Sequence, residues 1–232
     1  MNGYNTLKQN KLIKQIIPQR PCLKYTLGMN KKPFVLGLTG NIASGKTYVL
    51  SWLAKRGAKT IDADLVAQQT YLPGNPAYAP LIEHFGENIK HASGHIDRAA
   101  LSKIVFSDPV QLKELEAIVH PATVAAIRAL IEQAIEKDGV KLVVVEAVKL
   151  FESGMGKLCD ATWVTTADDE TRLGRLIQGR GIDPISAAKR INSQSPQEEK
   201  TKLADFVITT DGNFEDTGTQ IETGLKKLGI IL

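Results

Sequence analysis

Residues 34–50, FVLGLTGNIASGKTYVL, restrict the fold more than any other part of the chain. An apolar run (Phe34, Val35, Leu36, Leu38) leads into two glycines, a lysine and a threonine spaced as G-x-x-x-x-G-K-[ST], and residues 48–55 then carry a helical pattern. A buried parallel strand that feeds such a loop and helix must be covered on both faces, so the spacing predicts an α/β layer architecture. Gly40 and Gly45 permit backbone angles that a Cβ would obstruct, which lets successive amides converge on an anion at the positive end of the new helix. The expected anion is a polyphosphate. Gly40, Asn41, Ile42, Ala43, Ser44, Gly45, Lys46, Thr47 and Tyr48 form its predicted cradle, with Lys46 reaching the β and γ phosphates and the Thr47 hydroxyl a Mg²⁺ ion.

Four further segments, 58–62, 141–146, 162–166 and 206–209, read as buried strands that alternate with helices. With 34–39 they predict a five-stranded parallel sheet flanked by helices, whose ligands bind beyond the carboxyl ends of the strands. About eighty residues separate the second strand from the third, far more than a crossover helix needs, so a helical domain is expected as an insert at 76–139. Inside it the helical stretch 111–137 meets His120-Pro121, where a kink or break is expected. After the fourth strand, residues 171–202 carry Arg172, Arg175, Arg180 and Arg190 on amphipathic helical stretches, with Gly179 and Gly181 as a hinge. Arginines on a mobile segment opposite a phosphate loop suit a helical lid, although any one of them alone is equally a solvated surface charge. The nucleotide core is then 33–75, 140–170 and 203–232.

At 232 residues, 43% hydrophobic and 23% charged, the chain can bury a full core as one main domain with insertions. Its net charge of +4 suits anionic ligands without requiring nucleic acid. Much of that excess is local: no Asp or Glu precedes Asp62, and lysines crowd residues 1–32, which read as a basic, disordered tail. No apolar stretch approaches the roughly 20 residues of a membrane span. Cys22 and Cys159 are isolated, which favours free thiols in a reducing cytoplasm.

The second strand ends in IDADLVAQQ, placing Asp62 and Asp64 two residues apart. In extended backbone both would point toward the phosphates, one serving the metal and the other taking a proton from an attacking hydroxyl. Asp62 is also a natural start for the helix that follows. Glu146 closes the third strand, where an acid beside a phosphate loop binds Mg²⁺ through water. His91 and His95 flank a Ser-Gly turn, so a metal site between them is not expected.

Together these residues resemble the dephospho-coenzyme A kinase family. The resemblance runs from Val35 nearly to the C-terminus through GLTGNIASGKT, IDADLVA, GHIDRAALSKIVF, LKELEAIVHP, LFESG, RLGRLI, RINSQ and LADFVI. It implies a P-loop kinase core, a helical insert for dephospho-coenzyme A, a lid, and transfer of the ATP γ-phosphate to the ribose 3′-hydroxyl. It further implies Asp64 as general base, Lys46 and Arg175 as catalytic cations, Thr47 and Glu146 at Mg²⁺, Arg180 at the nucleotide, and Asp62, Arg98 and His120 on the acceptor side. A cytoplasmic monomer or small homo-oligomer is expected, with no nucleic-acid or membrane partner. The chain departs from the family pattern at Glu146, where an aspartate is common, at Ala147, Val148, Lys149 and Leu150, where Pro-Leu-Leu follows, at Gly179, where a second lid arginine is usual, and at Thr210 and Asp211 in place of an asparagine pair. The alternatives are another P-loop small-molecule kinase, a non-catalytic nucleotide switch, or a nucleic-acid-binding ATPase suggested by the basic tail. A guanine-reading N-K-x-D tetrad is absent from the sequence.

Overall fold

The computed structural model describes residues 32–138 and 140–232. The expected basic tail lies outside the described residues except for Lys32, as does Cys22. The chain runs β1 (Phe34–Gly40), α1 (Lys46–Ala54), β2 (Lys59–Asp62), α2 (Ala63–Thr70), α3 (Tyr78–Phe85), α4 (Arg98–Ser107), α5 (Pro109–Asp138), β3 (Leu142–Glu146) and β4 (Ala161–Thr166). It continues through α6 (Asp169–Arg180), α7 (Pro184–Asn192), α8 (Gln197–Thr201), β5 (Phe206–Thr209) and α9 (Phe214–Lys227). Short 3₁₀ turns at Glu87–Ile89 and Met155–Leu158 complete it. All five strands are parallel, in the order β2-β3-β1-β4-β5. The strand segments expected from the sequence are these five, with ends shifted by a residue or so.

Successive side chains of a strand point to opposite faces, and the core divides accordingly. Leu36, Leu38, Val144, Trp163 and Ile208 pack on one face against Val49 and Leu53 of α1 and Ile221 and Leu225 of α9. Val35, Val143, Val145 and Ile61 face the other way, against Val66 of α2 and Ile127 of α5. Because β1 sits at the centre with β3 on one side and β4 on the other, the loop leaving it opens where the connections diverge, the usual ligand site of such sheets.

The first face tolerates little added volume. A Cβ on Gly224 of α9 would lie 2.6 Å from Trp163 Cζ2 and 2.8 Å from Cη2, and the Trp163 ring is fully buried. Gly224→Val is expected to lose stability near the upper end of the about 1–3 kcal/mol typical of overpacking. Thermal unfolding followed by circular dichroism checks this, with a drop in Tm of about 5–10 °C expected for a chain of this size; an unchanged Tm would show that α9 is free to move off the sheet.

The insert builds a core of its own from Leu81, Ile89, Leu101, Val105 and Val119. The break expected at His120-Pro121 does not occur: α5 runs through Pro121 from Pro109 to Asp138. The proline ring lies on an exposed face, and Ala117, whose carbonyl loses its helical partner, is exposed as well, so water can satisfy that oxygen. Buried Val119, Thr123 and Ile127 on the opposite stripe anchor the helix to both cores. The two glycines expected to form a hinge differ in backbone state. Gly179 is helical, and only Gly181, left-handed at φ 64°, ends α6.

Candidate active site

The phosphate loop is shaped by close approach. At Gly40, φ 155°, a Cβ would collide with the Thr165 and Ser44 hydroxyls, which hydrogen-bond each other at 2.7 Å beneath the loop. At Gly45, φ 86°, a Cβ would lie 2.8 Å from Thr210. The loop's amides divide into two groups. Ser44 N–H bonds the Asn41 carbonyl and Tyr48 N–H the Gly45 carbonyl, while Ile42 N–H donates to Gln194 Oε1 at 2.7 Å. The amides of Ala43, Gly45, Lys46 and Thr47 make no hydrogen bond among the described residues, and these four are free for an anion at the N-terminus of α1. Ser44 and Tyr48, both within the predicted cradle, thus have N–H groups that close turns. The Asn41 side chain is turned away as well, its Nδ2 donating to the Ser195 carbonyl at 2.8 Å.

Lys46 folds back over the loop. Its ammonium donates to the Gly40 carbonyl at 2.7 Å and lies 4.0 Å from Glu146 Oε1. Burial holds the Lys46 pKa below its ordinary value against the opposing pull of Glu146, with Lys200 and Arg180 adding to the lowering. Loss of hydration pushes the Glu146 carboxyl up; Lys46 opposes this, and the Asp62 and Asp64 charges reinforce it. Glu146 reaches this place because β3 pairs in register with both β1 and β2, setting Leu38 and Asp62 on either side of it.

Asp62 and Asp64 do not share an extended segment. Asp62 ends β2 and caps α2, accepting from Leu65 N–H at 2.9 Å, so Asp64 stands in the first helical turn. Asp64 still enters the cleft. Loss of hydration and then the Asp62 charge raise its pKa, opposed by the Val148 N–H, Lys46 and Lys149. Three carboxylates and Lys46 therefore act on one another at the strand ends.

On the other side of the loop, Arg175 donates to the Ala43 carbonyl at 3.0 Å and to Thr210 Oγ1 and O at 2.9 and 2.5 Å. Thr210 is buried and also donates to Ser44 O at 3.1 Å, so one of the departures from the family pattern braces the loop. Arg180 is exposed at the end of α6 yet close enough to depress Lys46. Thr47 is exposed at the start of α1. Arg98, at the start of α4, donates to Gln68 Oε1 at 2.9 Å, and His120 is half-buried on α5 in the insert. His91 and His95 share the Ser93 hydroxyl on an exposed turn. Cys159 is a free thiol whose pKa burial pushes up to about 12, so it stays protonated and unreactive.

Sequence reading missed Lys200 and the partner of Gln194, and it named Arg172 only as one of the lid arginines. Lys200 of α8 is only 6% exposed, donates to the Val148 carbonyl at 2.7 Å and lies 3.6 Å from Glu152. Gln194 and Arg172 bond the outer turn of the phosphate loop. Lys200 sits in a run, QEEK, that reads as solvated surface, and nothing local marks it as buried. RINSQ offered a signal for Gln194 only as a motif, without a partner.

A phosphate loop on the central strand of a parallel sheet, acids at the neighbouring strand ends and an arginine-bearing helical segment against the loop define a P-loop kinase. Residues 34–216 match the family model described as dephospho-CoA kinase. The chain belongs to the dephospho-CoA kinase family. It is 42% identical over 193 residues to the dephospho-CoA kinase of Carboxydothermus hydrogenoformans, covering 83% of this chain and 93% of that one. A crystal structure of a Thermus thermophilus protein superposes with a TM-score of 0.70 at 33% identity, covering 85% of this chain and 99% of the other. The dephospho-CoA kinase of Campylobacter jejuni superposes at 0.61 with 28% identity, covering 84% and 96%.

Proposed function

We propose that this enzyme transfers the γ-phosphoryl group of ATP to the ribose 3′-hydroxyl of dephospho-coenzyme A, giving coenzyme A and ADP, the last step of coenzyme A synthesis. The observation that carries the chemistry is the convergence of Lys46, Glu146 and Asp64 beyond the ends of β1, β2 and β3. Membership in the family supplies the acceptor.

In this reading Asp64 orients the attacking hydroxyl and takes its proton, a role suited to a carboxyl whose affinity for a proton is raised. Lys46 leaves the Gly40 carbonyl for the β and γ phosphates, and the free amides of Ala43, Gly45, Lys46 and Thr47 hold the chain of phosphates. Arg175 and Arg180 stabilise charge on the transferring group from the helical segment 171–202, which serves as the lid. Asp62, Arg98 and His120 face the acceptor, bound against the insert at 76–139. The residues also fit Mg²⁺. The crowded carboxylates, two of them driven toward the neutral form, are relieved by a hard cation, and the exposed Thr47 hydroxyl supplies a further oxygen. Among the described residues no cluster of three or more side chains could hold a metal alone, in keeping with an ion that takes most of its ligands from phosphate and water. Glu146 and Thr47 would hold it, and it would neutralise charge on the β and γ phosphates.

No described helix is long and apolar enough to cross a membrane. A small-molecule acceptor suits a cytoplasmic enzyme that works as a monomer or small homo-oligomer. Mass spectrometry after incubation with Mg²⁺-ATP, dephospho-coenzyme A and the competing acceptors adenosine, AMP and shikimate tests the reading. Selective phosphorylation of dephospho-coenzyme A at the 3′-hydroxyl is expected. Preference for another acceptor would replace the substrate assignment.

A further inference from the structure

The outer turn of the phosphate loop is held from outside by residues remote in sequence. Both peptide groups of Ile42 are engaged: its N–H donates to Gln194 Oε1 at 2.7 Å, and its carbonyl accepts from Arg172 Nε at 3.1 Å. Asn41 Nδ2 reaches the Ser195 carbonyl at 2.8 Å. The side chains of Ile42 and Ala43 pack against Leu176, Ala187 and Ile191, the small apolar core of α6 and α7. The next residue in the loop, Ala43, has φ 60°, the only positive φ outside glycine among the described residues. A left-handed alanine is disfavoured and persists only where its surroundings over-determine it.

Arg172 does this at a cost. It is 3% exposed, and although Nη1 pairs with Asp169 at 2.9 Å, Nη2 has no partner among the described residues. A buried guanidinium that is incompletely paired opposes stability, so its contribution is to be sought in the loop it grips.

We propose that Arg172 and Gln194 are positioning residues for the nucleotide phosphates. By gripping Ile42 from both sides they impose the left-handed turn at Ala43, and that turn sets the free Ala43 and Gly45 amides for the phosphate chain. Phosphate affinity then depends on the docking of α6 and the segment after α7 onto the loop. This inference rests on residues 40–48 being the nucleotide phosphate cradle.

The test compares ADP with adenosine as competitors of ATP, at saturating dephospho-coenzyme A so that the acceptor site is filled, in the full-length enzyme, for Gln194→Leu, Arg172→Gln, the double variant and Lys46→Met. Loss of one buried hydrogen bond to the loop is expected to raise the ADP inhibition constant about tenfold while adenosine and the KM for dephospho-coenzyme A stay within about twofold. Because both residues act through Ile42, the double variant should lose less than the product of the single effects. A role in general stability would weaken ADP and adenosine alike, and that result overturns the proposal. So does unchanged ADP affinity in both single variants when Lys46→Met weakens it. If Lys46→Met leaves ADP binding intact, the cradle itself is misplaced and the inference falls with it. Should Gln194→Leu fail to fold by circular dichroism, Arg172→Gln carries the same comparison.

Discussion

Asp64→Asn is expected to fold and bind ATP normally but to turn over about 10²- to 10⁴-fold more slowly, the usual loss when a positioned base is removed. Asparagine keeps the shape of the side chain and one acceptor oxygen, but it cannot take the hydroxyl proton. Steady-state turnover with dephospho-coenzyme A, alongside calorimetric ATP binding, measures both halves of the statement. Turnover close to wild type would remove Asp64 from the role. The pH dependence adds a second signature. Loss of hydration and the Asp62 charge raise the Asp64 pKa, so the acidic limb of kcat/KM should lie above the ordinary aspartate value of 3.8, and Asp64→Asn should abolish that limb. Stability should move the other way. A carboxyl with a raised folded pKa binds its proton more tightly in the folded chain than in the unfolded one, so its ionisation subtracts stability as pH rises through the unfolded and then the folded pKa. At neutral pH the asparagine variant should therefore melt no lower than wild type. A lower Tm would show that the Asp64 charge is structural.

Lys46→Met is expected to lower kcat about 10²- to 10³-fold, the range seen when one preorganised charge-stabilising donor is removed. Here the fold should survive, since among the described residues Lys46 donates only to the loop carbonyls of Gly40 and Asn41. Arginine should not rescue it. The ammonium donates to the Gly40 carbonyl at 2.7 Å as a compact point charge, whereas a guanidinium is a planar fork with different geometry and hydration. Removing Lys46 also strips Asp64 of a cation that opposes its raised pKa, so the acidic limb in Lys46→Met should shift further toward neutral. Turnover within a few-fold of wild type at saturating substrates would show that phosphate charge is met elsewhere, with Lys200 and Arg180, the cations that act on Lys46, as the candidates.

The parts of the site that could be read from the sequence are those whose chemistry is local. Gly40, Gly45, Lys46 and Thr47 are tied together by the geometry of a single turn and the start of α1, so their spacing alone announces them. Glu146 was visible because an apolar strand that ends in an acid is a local pattern. Asp62 and Asp64 were half legible. Their types and place at the end of β2 were plain, but whether the backbone stayed extended depended on whether Asp62 capped a helix, and it does. Pro121 misled because local sterics favour a break, whereas packing on the opposite face of α5 keeps the helix continuous.

What the sequence by itself determined is the class of fold and the phosphate loop, because strand periodicity and glycine spacing act over a handful of residues. The tertiary structure alone decided which remote groups complete the site. The pairing of β3 with β2 puts Glu146 beside Asp62, Thr210 comes under Ser44 and Arg175, Lys200 is buried against Val148, and Gln194 meets Ile42. Each of these contacts joins residues separated by tens to more than a hundred positions, and a hydrogen bond is made only where packing brings donor and acceptor within about 3 Å. No local pattern encodes that distance; the packing of helices on a parallel sheet does.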